Sequence, residues 1–251
     1  MDPTFSGPKL KIKRAEQHID ELNQILSTFI KTDFCRLHVE KQQNGGRSLI
    51  KFEITKSLPC ATPLVIGDAV HNLHSALDLM ACEIVSIAGG TPSHDTYFPF
   101  ADTRQQLEAT IKRGEIKIAG SDIIAVLLDV IKPYKNGGDT TLCALHRLDI
   151  IDKHQMLIPT VSVAALRHVN ANIGVMTLTD CTLTVGQGGV LTLASMPGDV
   201  EIEGHGEPTY AILFDKGQVF EGQAVVPTLL QLSQLVSGVV HIMENAYLSR
   251  G

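Results

Sequence analysis

The sequence predicts an α+β protein: a helical half with an N-terminal β-hairpin, an antiparallel sheet in the C-terminal third, and a closing C-terminal helix. Three observations predict it. Over the first 155 residues, apolar side chains recur at steps of three and four, the period of helices that bury one face. From about residue 156 the texture changes to short β-branched runs cut by Gly, Asp and Pro, which suits antiparallel strands. Residues 226–248 then return to the helical period. No repeat, low-complexity tract or long linker interrupts the chain, so residues 1–251 read as one compact unit, with 1–155 mainly helical and 156–251 forming the sheet and last helix.

Each element has its own local signal. Residues 9–31 place Ile12, Ala15, Ile19, Leu22, Leu26 and Phe29 on one face, with Lys, Glu and Gln on the other, and so read as an amphipathic helix. FCRLHVEK and RSLIKFEI alternate apolar and polar around QQNGG, a hairpin with a glycine turn. Pro59 and Pro63 bracket the approach to a helix over 64–88, which stops at Gly89-Gly90. After the loop TPSHDTYFPF come helical patterns at 102–113 and 120–132, ended by Pro133 and a KNGG turn. Thr140 to about Lys153 is a further helix, followed by the apolar strand HQMLIPTVSV. MTLTDCTLTV, GVLTLASM, DVEIEG and TYAILFD supply the remaining strands, and Leu229, Leu232, Val236, Val239 and Met243 mark the buried face of the last helix.

Composition narrows the function classes. With 44% hydrophobic and 19% charged residues the chain is too apolar for disorder. A net charge of −6 argues against broad attraction to nucleic acid or anionic membrane, and KLKIKR reads as a solvated first helical turn. Cys35, Cys60, Cys82, Cys143 and Cys181 are odd in number and include no CxxC pair, so neither a zinc ribbon nor a disulfide framework is expected. Cys82 and Cys143 fall in apolar helical patterns and read as inert buried thiols. The N-terminus lacks an apolar signal core, and no run reaches the roughly 18 apolar residues of a membrane span. The expectation is a cytoplasmic protein without membrane association, free to form a homo-oligomer. No cofactor is indicated: the glycines of QGGV and EGHGEP lack the spacing of a phosphate cradle.

One stretch departs from the ordinary pattern. In GDAVHNLHSALD, Asp68, His71, Asn72, Ser75 and Asp78 gather on one stripe of a helical wheel, opposite Val70, Leu73, Leu77, Ala81 and Ile84. His74 lies at the stripe's edge, one turn from Asp78. Solvent-facing helix surfaces favour Lys, Glu, Arg and Gln, yet no Lys or Arg occurs between Lys56 and Arg104. Small polar residues suit a helix–helix contact or a cavity wall, where an unpartnered group costs about 1–3 kcal/mol. Their partners are expected to be cationic or amide groups, because two carboxylates dominate the stripe. LCALHRLDIIDKHQML offers them: Arg147 and His154 lie two turns apart on one face, as do His146 and Lys153, so that Lys153 or His154 would meet Asp68 or Asp78.

GDAVHNLHSALDLM, the downstream PY and DKH resemble an uncharacterised bacterial protein family with the pattern GDxxHNLRSALDHL, over roughly residues 50–160. This chain departs at His74, where the family has Arg, and at Leu79-Met80, where a His is common. The resemblance implies no activity, but it implies that Asp68, His71, Asn72, Ser75, Asp78, Asp152, Lys153 and His154 form the site. Three functions fit these residues. The preferred one is a non-enzymatic binding or interaction module in which the cluster specifies packing. The second is a metal-independent ribonuclease, because Arg147 and His154 have an R-x6-H spacing similar to that of HEPN-type ribonucleases. The third is a metal-dependent hydrolase using His71, His154 and a carboxylate. In the enzymatic readings His71, Asp78, Arg147 and His154 carry the chemistry, while Asp68, Asn72, Ser75, Asp152 and Lys153 bind.

Overall fold

The computed structural model describes residues 5–42, 46–157, 159–173, 175–184, 190–203 and 206–249. It is a mixed α/β arrangement of helices and antiparallel strands in the predicted order. Helix α1 (Ser6–Ile30) buries all six predicted apolar positions, Ile12 to Phe29, mainly against α2. Strands β1 (Cys35–Lys41) and β2 (Arg47–Ile54) pair antiparallel with Cys35 opposite Ile54. Positions 43–45 of the expected glycine turn lie outside the described residues.

Helix α2 spans Ala61–Ile87 and so begins three residues earlier than the prolines imply. Pro63 sits in its first turn, where a missing N–H removes no helical hydrogen bond. Gly89 follows at φ 83°, a left-handed conformation that costs glycine little and ends the helix. Helix α3 (Arg104–Arg113) is opened by a capping box between Thr103 and Gln106. The 120–132 pattern is not one regular helix. A short α4 (Ser121–Ala125) widens into a π-helical turn, Val126–Ile131, closed by the Lys132 amide on the Leu127 carbonyl at 2.9 Å. Pro133 disfavours right-handed helix at the preceding residue, and Lys132 turns out at φ 54°. Helix α5 (Thr140–Asp152) starts where the Asp139 carboxylate accepts from the Leu142 amide at 2.9 Å.

The C-terminal third does not form a sheet by itself. Strand β5 (Val190–Pro197) leaves it and pairs antiparallel with β2, making the sheet β1-β2-β5. Hydrophobic period alone cannot show which edge a strand joins. In the second sheet the long β3 (Pro159–Ile173) is central. Strand β4 (Met176–Thr184) pairs along one edge, and β6 (Val200–Glu203) and β7 (Glu207–Phe214) share the other. Phe34, Ile50, Phe52, Val163 and Val169 form a core between the two sheets and the end of α1.

Helix α6 (Val225–Leu248) returns to the helices, burying Leu229, Leu232, Val236, Val239 and Met243. Contrary to the expectation from the sequence, this helix is long and apolar enough to cross a membrane by length and composition. In the structure its buried face packs on α1, α2 and α5. Leu73, Leu77, Met80, Leu145, Leu148 and Leu232, all fully buried, tie α2, α5 and α6 into the main core, which presses the polar faces of α2 and α5 together.

Candidate functional site

His71, His74 and Asp78 follow one another on α2 at i, i+3 and i+7, and His146, Asp149 and Lys153 have the same spacing along α5 and its C-cap. Such spacing puts each set on one helical face. Where the faces meet, Asp149 is 1% exposed. Its Oδ1 lies 3.0 Å from His71 Nδ1. Its Oδ2 lies 2.5 Å from Lys153 Nζ and 3.5 Å from His74 Nδ1. The Oδ2 contacts are ion-pair approaches rather than aligned hydrogen bonds. A carboxylate this deep is tolerated only among such cationic and imidazole partners.

His74 is the second buried member. Its Nδ1 faces Asp78 Oδ2 at 3.2 Å as well as Asp149. Its Nε2 is 2.8 Å from His146 Nδ1. Asp78 also accepts a hydrogen bond from the Phe98 amide at 3.0 Å, which fastens the FPF loop to α2. Phe100 then stacks on the His146 ring, with centroids 4.3 Å apart and planes 11° from parallel, while His74 meets the edge of His146 with centroids 5.1 Å apart. The hydrogen positions follow from the acceptors. Carboxylates facing His74 Nδ1 place a proton on that nitrogen, and in the neutral form of His74 its Nε2 accepts from His146 Nδ1–H. His146 Nε2 is left with a free lone pair. Burial, with His74 nearby, holds the His146 pKa below the ordinary histidine value, although Asp149 and Asp78 oppose this.

The other predicted residues are placed unevenly around this core. Ser75 Oγ is 3.4 Å from His71 Nε2. Asn72 donates to the Asp68 carbonyl at 2.8 Å and accepts from Lys11 of α1 at 3.4 Å. The Asp68 carboxylate is exposed, without a hydrogen bond or ion pair among the described residues, and His71 is half exposed. The expected contact of Lys153 or His154 with Asp68 or Asp78 does not form. Asp149, one turn before Lys153 on the same helix, captures the ammonium. Because α5 ends at Asp152, His154 lies beyond it, exposed and unpaired among the described residues, so the two-turn alignment with Arg147 is lost. Among the described residues no group of three or more His, Cys, Asp or Glu side chains is placed to hold a metal ion.

Asp152 lies over Gly67, the glycine of the GD pair. A Cβ on Gly67 would come 2.3 Å from Asp152 Oδ1, so a side chain there displaces the Asp152 carboxylate. Burial, with Asp149 and Asp68 nearby, raises the Asp152 pKa above the usual carboxylate value.

Behind the cluster opens a cavity of about 630 Å³, lined by Phe100, Lys135, Cys143, His146, Arg147 and Gln218 among others. A smaller space of about 330 Å³ lies against Thr96, Tyr97 and Glu115, and Phe100 and His146 line both. Burial, reinforced by Asp139 and Asp102, pushes the Cys143 thiol up to about 11, so it is not a thiolate at neutral pH. Lys135 and Arg147 are exposed, and neither side chain has a hydrogen bond or ion pair among the described residues. Asp149, Phe100 and Lys135 are members that the sequence reading did not name, whereas His74 at the stripe's edge and His146 beside Lys153 were named without being placed in the site. The matched i, i+3, i+7 spacing on the two helices was the available signal for Asp149, His74 and His146.

Asp149→Ala is expected to lower unfolding stability by about 2–3 kcal/mol in urea titrations, at or below the low end for a fully buried pair because Lys153 and His71 can regain water. Gly67→Ala is expected to cost about 1–2 kcal/mol despite alanine's better helix propensity. In an Asp152→Gly background the same substitution should become neutral or stabilising, a non-additivity that thermal unfolding of the four variants reads directly.

Compared with known proteins, the chain matches no family model, no curated protein and no solved structure.

Proposed function

We propose that this protein is a binding module whose ligand is a small organic anion held in the cavity between α5, the Phe100 segment and residues 217–219. The single observation that carries this reading is the pair Lys135 and Arg147. They are two cations without ion-pair partners among the described residues, both lining the cavity of a chain whose net charge is −6. Asp102 is the one carboxylate among the lining residues, so the wall carries a net positive charge. Phe100, Ala101, Ala144, Ile151 and Val219 supply the apolar remainder. Its volume lies within the range of about 300–1,000 Å³ typical of small-molecule sites. Arg147 offers a planar fork for a carboxylate and Lys135 a mobile point charge.

On this reading the buried polar cluster is the frame behind the pocket. It orders His146 and Phe100 instead of meeting the ligand itself. The ribonuclease reading has Arg147 on the cavity wall, but His154 is not among the lining residues. Five free thiols support a reducing, cytoplasmic setting.

Benzoate, an aryl carboxylate small enough for the cavity, is a suitable probe. Isothermal titration should show saturable binding that Arg147→Gln or Lys135→Gln weakens at least tenfold, with melting temperatures within about 1 °C of the parent because both residues are exposed. Equal affinity in parent and variants would remove the basis of the proposal.

A further inference from the structure

The geometry points to a hydrolytic function for the same cavity: His146 Nε2 acts as general base toward the ester bond of a small carboxylate-bearing ester. This rests on the anion-binding reading above and extends it from binding to chemistry. Three groups lie in series. Asp78 and Asp149 face His74 Nδ1 at 3.2 and 3.5 Å. His74 Nε2 meets His146 Nδ1 at 2.8 Å. His146 then reaches the cavity wall, on which Arg147 and Lys135 also stand. A carboxylate behind an imidazole fixes its tautomer and stabilises the cation formed when a proton is taken up. Here a second imidazole is inserted, so the carboxylates act on the base through His74. His74 is a positioning residue and His146 the catalytic one.

Phe100 covers one face of the His146 ring and His74 holds its Nδ1 edge, so its free lone pair has a set direction. The titratable groups facing His146 are His74, Asp149, Asp78 and Lys153, from α2 and the end of α5. Their balance, dominated by burial, holds its pKa below the ordinary histidine value. Cys143 is a protonated thiol and competes poorly as nucleophile, which leaves water.

The step balances without a metal or redox partner. His146 Nε2 removes a proton from water as the water oxygen bonds to the acyl carbon. The acyl carbon–oxygen bond then breaks, and the leaving oxygen takes that proton from His146. Ester and water yield acid and alcohol, with His146 returned to its neutral form. Of the two cations, one binds the substrate's carboxylate and the other meets the developing oxyanion.

The test uses the intact chain with 4-acetoxybenzoate as substrate, phenyl acetate as its uncharged analogue, and benzoate as a binding control. The expected result is saturable release of 4-hydroxybenzoate with at least tenfold preference for the charged ester. The kcat/KM should rise with pH through one ionisation below about 6.5, since only neutral His146 accepts a proton. His146→Gln should lose roughly 100-fold or more, and His74→Gln should lose less while moving the inflection of the pH profile. Long-range ¹H–¹⁵N spectra of the unmutated protein provide a readout that does not depend on variants folding, with His146 protonated at Nδ1 and bare at Nε2. Benzoate binding without ester hydrolysis, or hydrolysis unaffected by His146→Gln, overturns the catalytic inference and leaves the binding reading intact. Spectra showing His146 protonated at Nε2 also overturn it. Absence of both binding and hydrolysis overturns the two together.

Discussion

The carboxylate of Asp149 is the group around which the rest of this structure is arranged. It is 1% exposed at the meeting of α2 and α5, and a negative charge there is stable only if the two helices bring it partners. His71 and His74 from α2 and Lys153 from its own helix do so. That requirement fixes the rotation of each helix about its axis and their register along each other. Gly67 leaves room for the Asp152 carboxylate beside this contact. Leu73 and Leu77 on α2, with Leu145 and Leu148 on α5, close the apolar side of the same contact. Polar and apolar faces therefore specify one docking.

From this frame the order propagates outward. His74 is held between two carboxylates and passes its orientation to His146, which in turn stacks on Phe100. Asp78 adds a bond to the Phe98 amide, so the FPF segment is positioned from the α2 side as well. The cavity wall carrying Lys135, His146 and Arg147 is thus supported by the α2–α5 cluster. Binding sites need such second supports, since a pocket residue with an unsupported ring samples several rotamers and gains little from any one ligand pose.

Much of the fold was legible because it rests on local periods. The buried faces of α1 and α6 fall where Ile12 to Phe29 and Leu229 to Met243 placed them, and the α+β order of elements follows from the change of texture near residue 156. The exchange of β5 into the hairpin sheet was not legible, because strand partners at a separation of about 150 residues leave no local trace. The π-helical turn before Pro133 was hidden for a different reason: its apolar spacing is that of a helix, and the widening occurs in the backbone. At the site, the composition of GDAVHNLHSALD drew attention to a helix with unusual polar residues, of which Asp68 and His71 are exposed. The choice of partners went astray, however, because the pairing was sought between stripe acids and downstream cations. The buried acid was Asp149, inside the HRLDIID run and flanked by apolar residues, and Lys153 was already within one turn of it.

The central claim is that Asp149 and His74 hold each other in place across the α2–α5 contact. A double-mutant cycle of Asp149→Asn and His74→Gln, read by urea unfolding at pH 7, measures it directly. A coupling energy of about 1–2 kcal/mol is the predicted result, in the range for contacting residues of one network. Additive losses, with coupling near zero, would contradict it and leave the helices docked by their leucines alone.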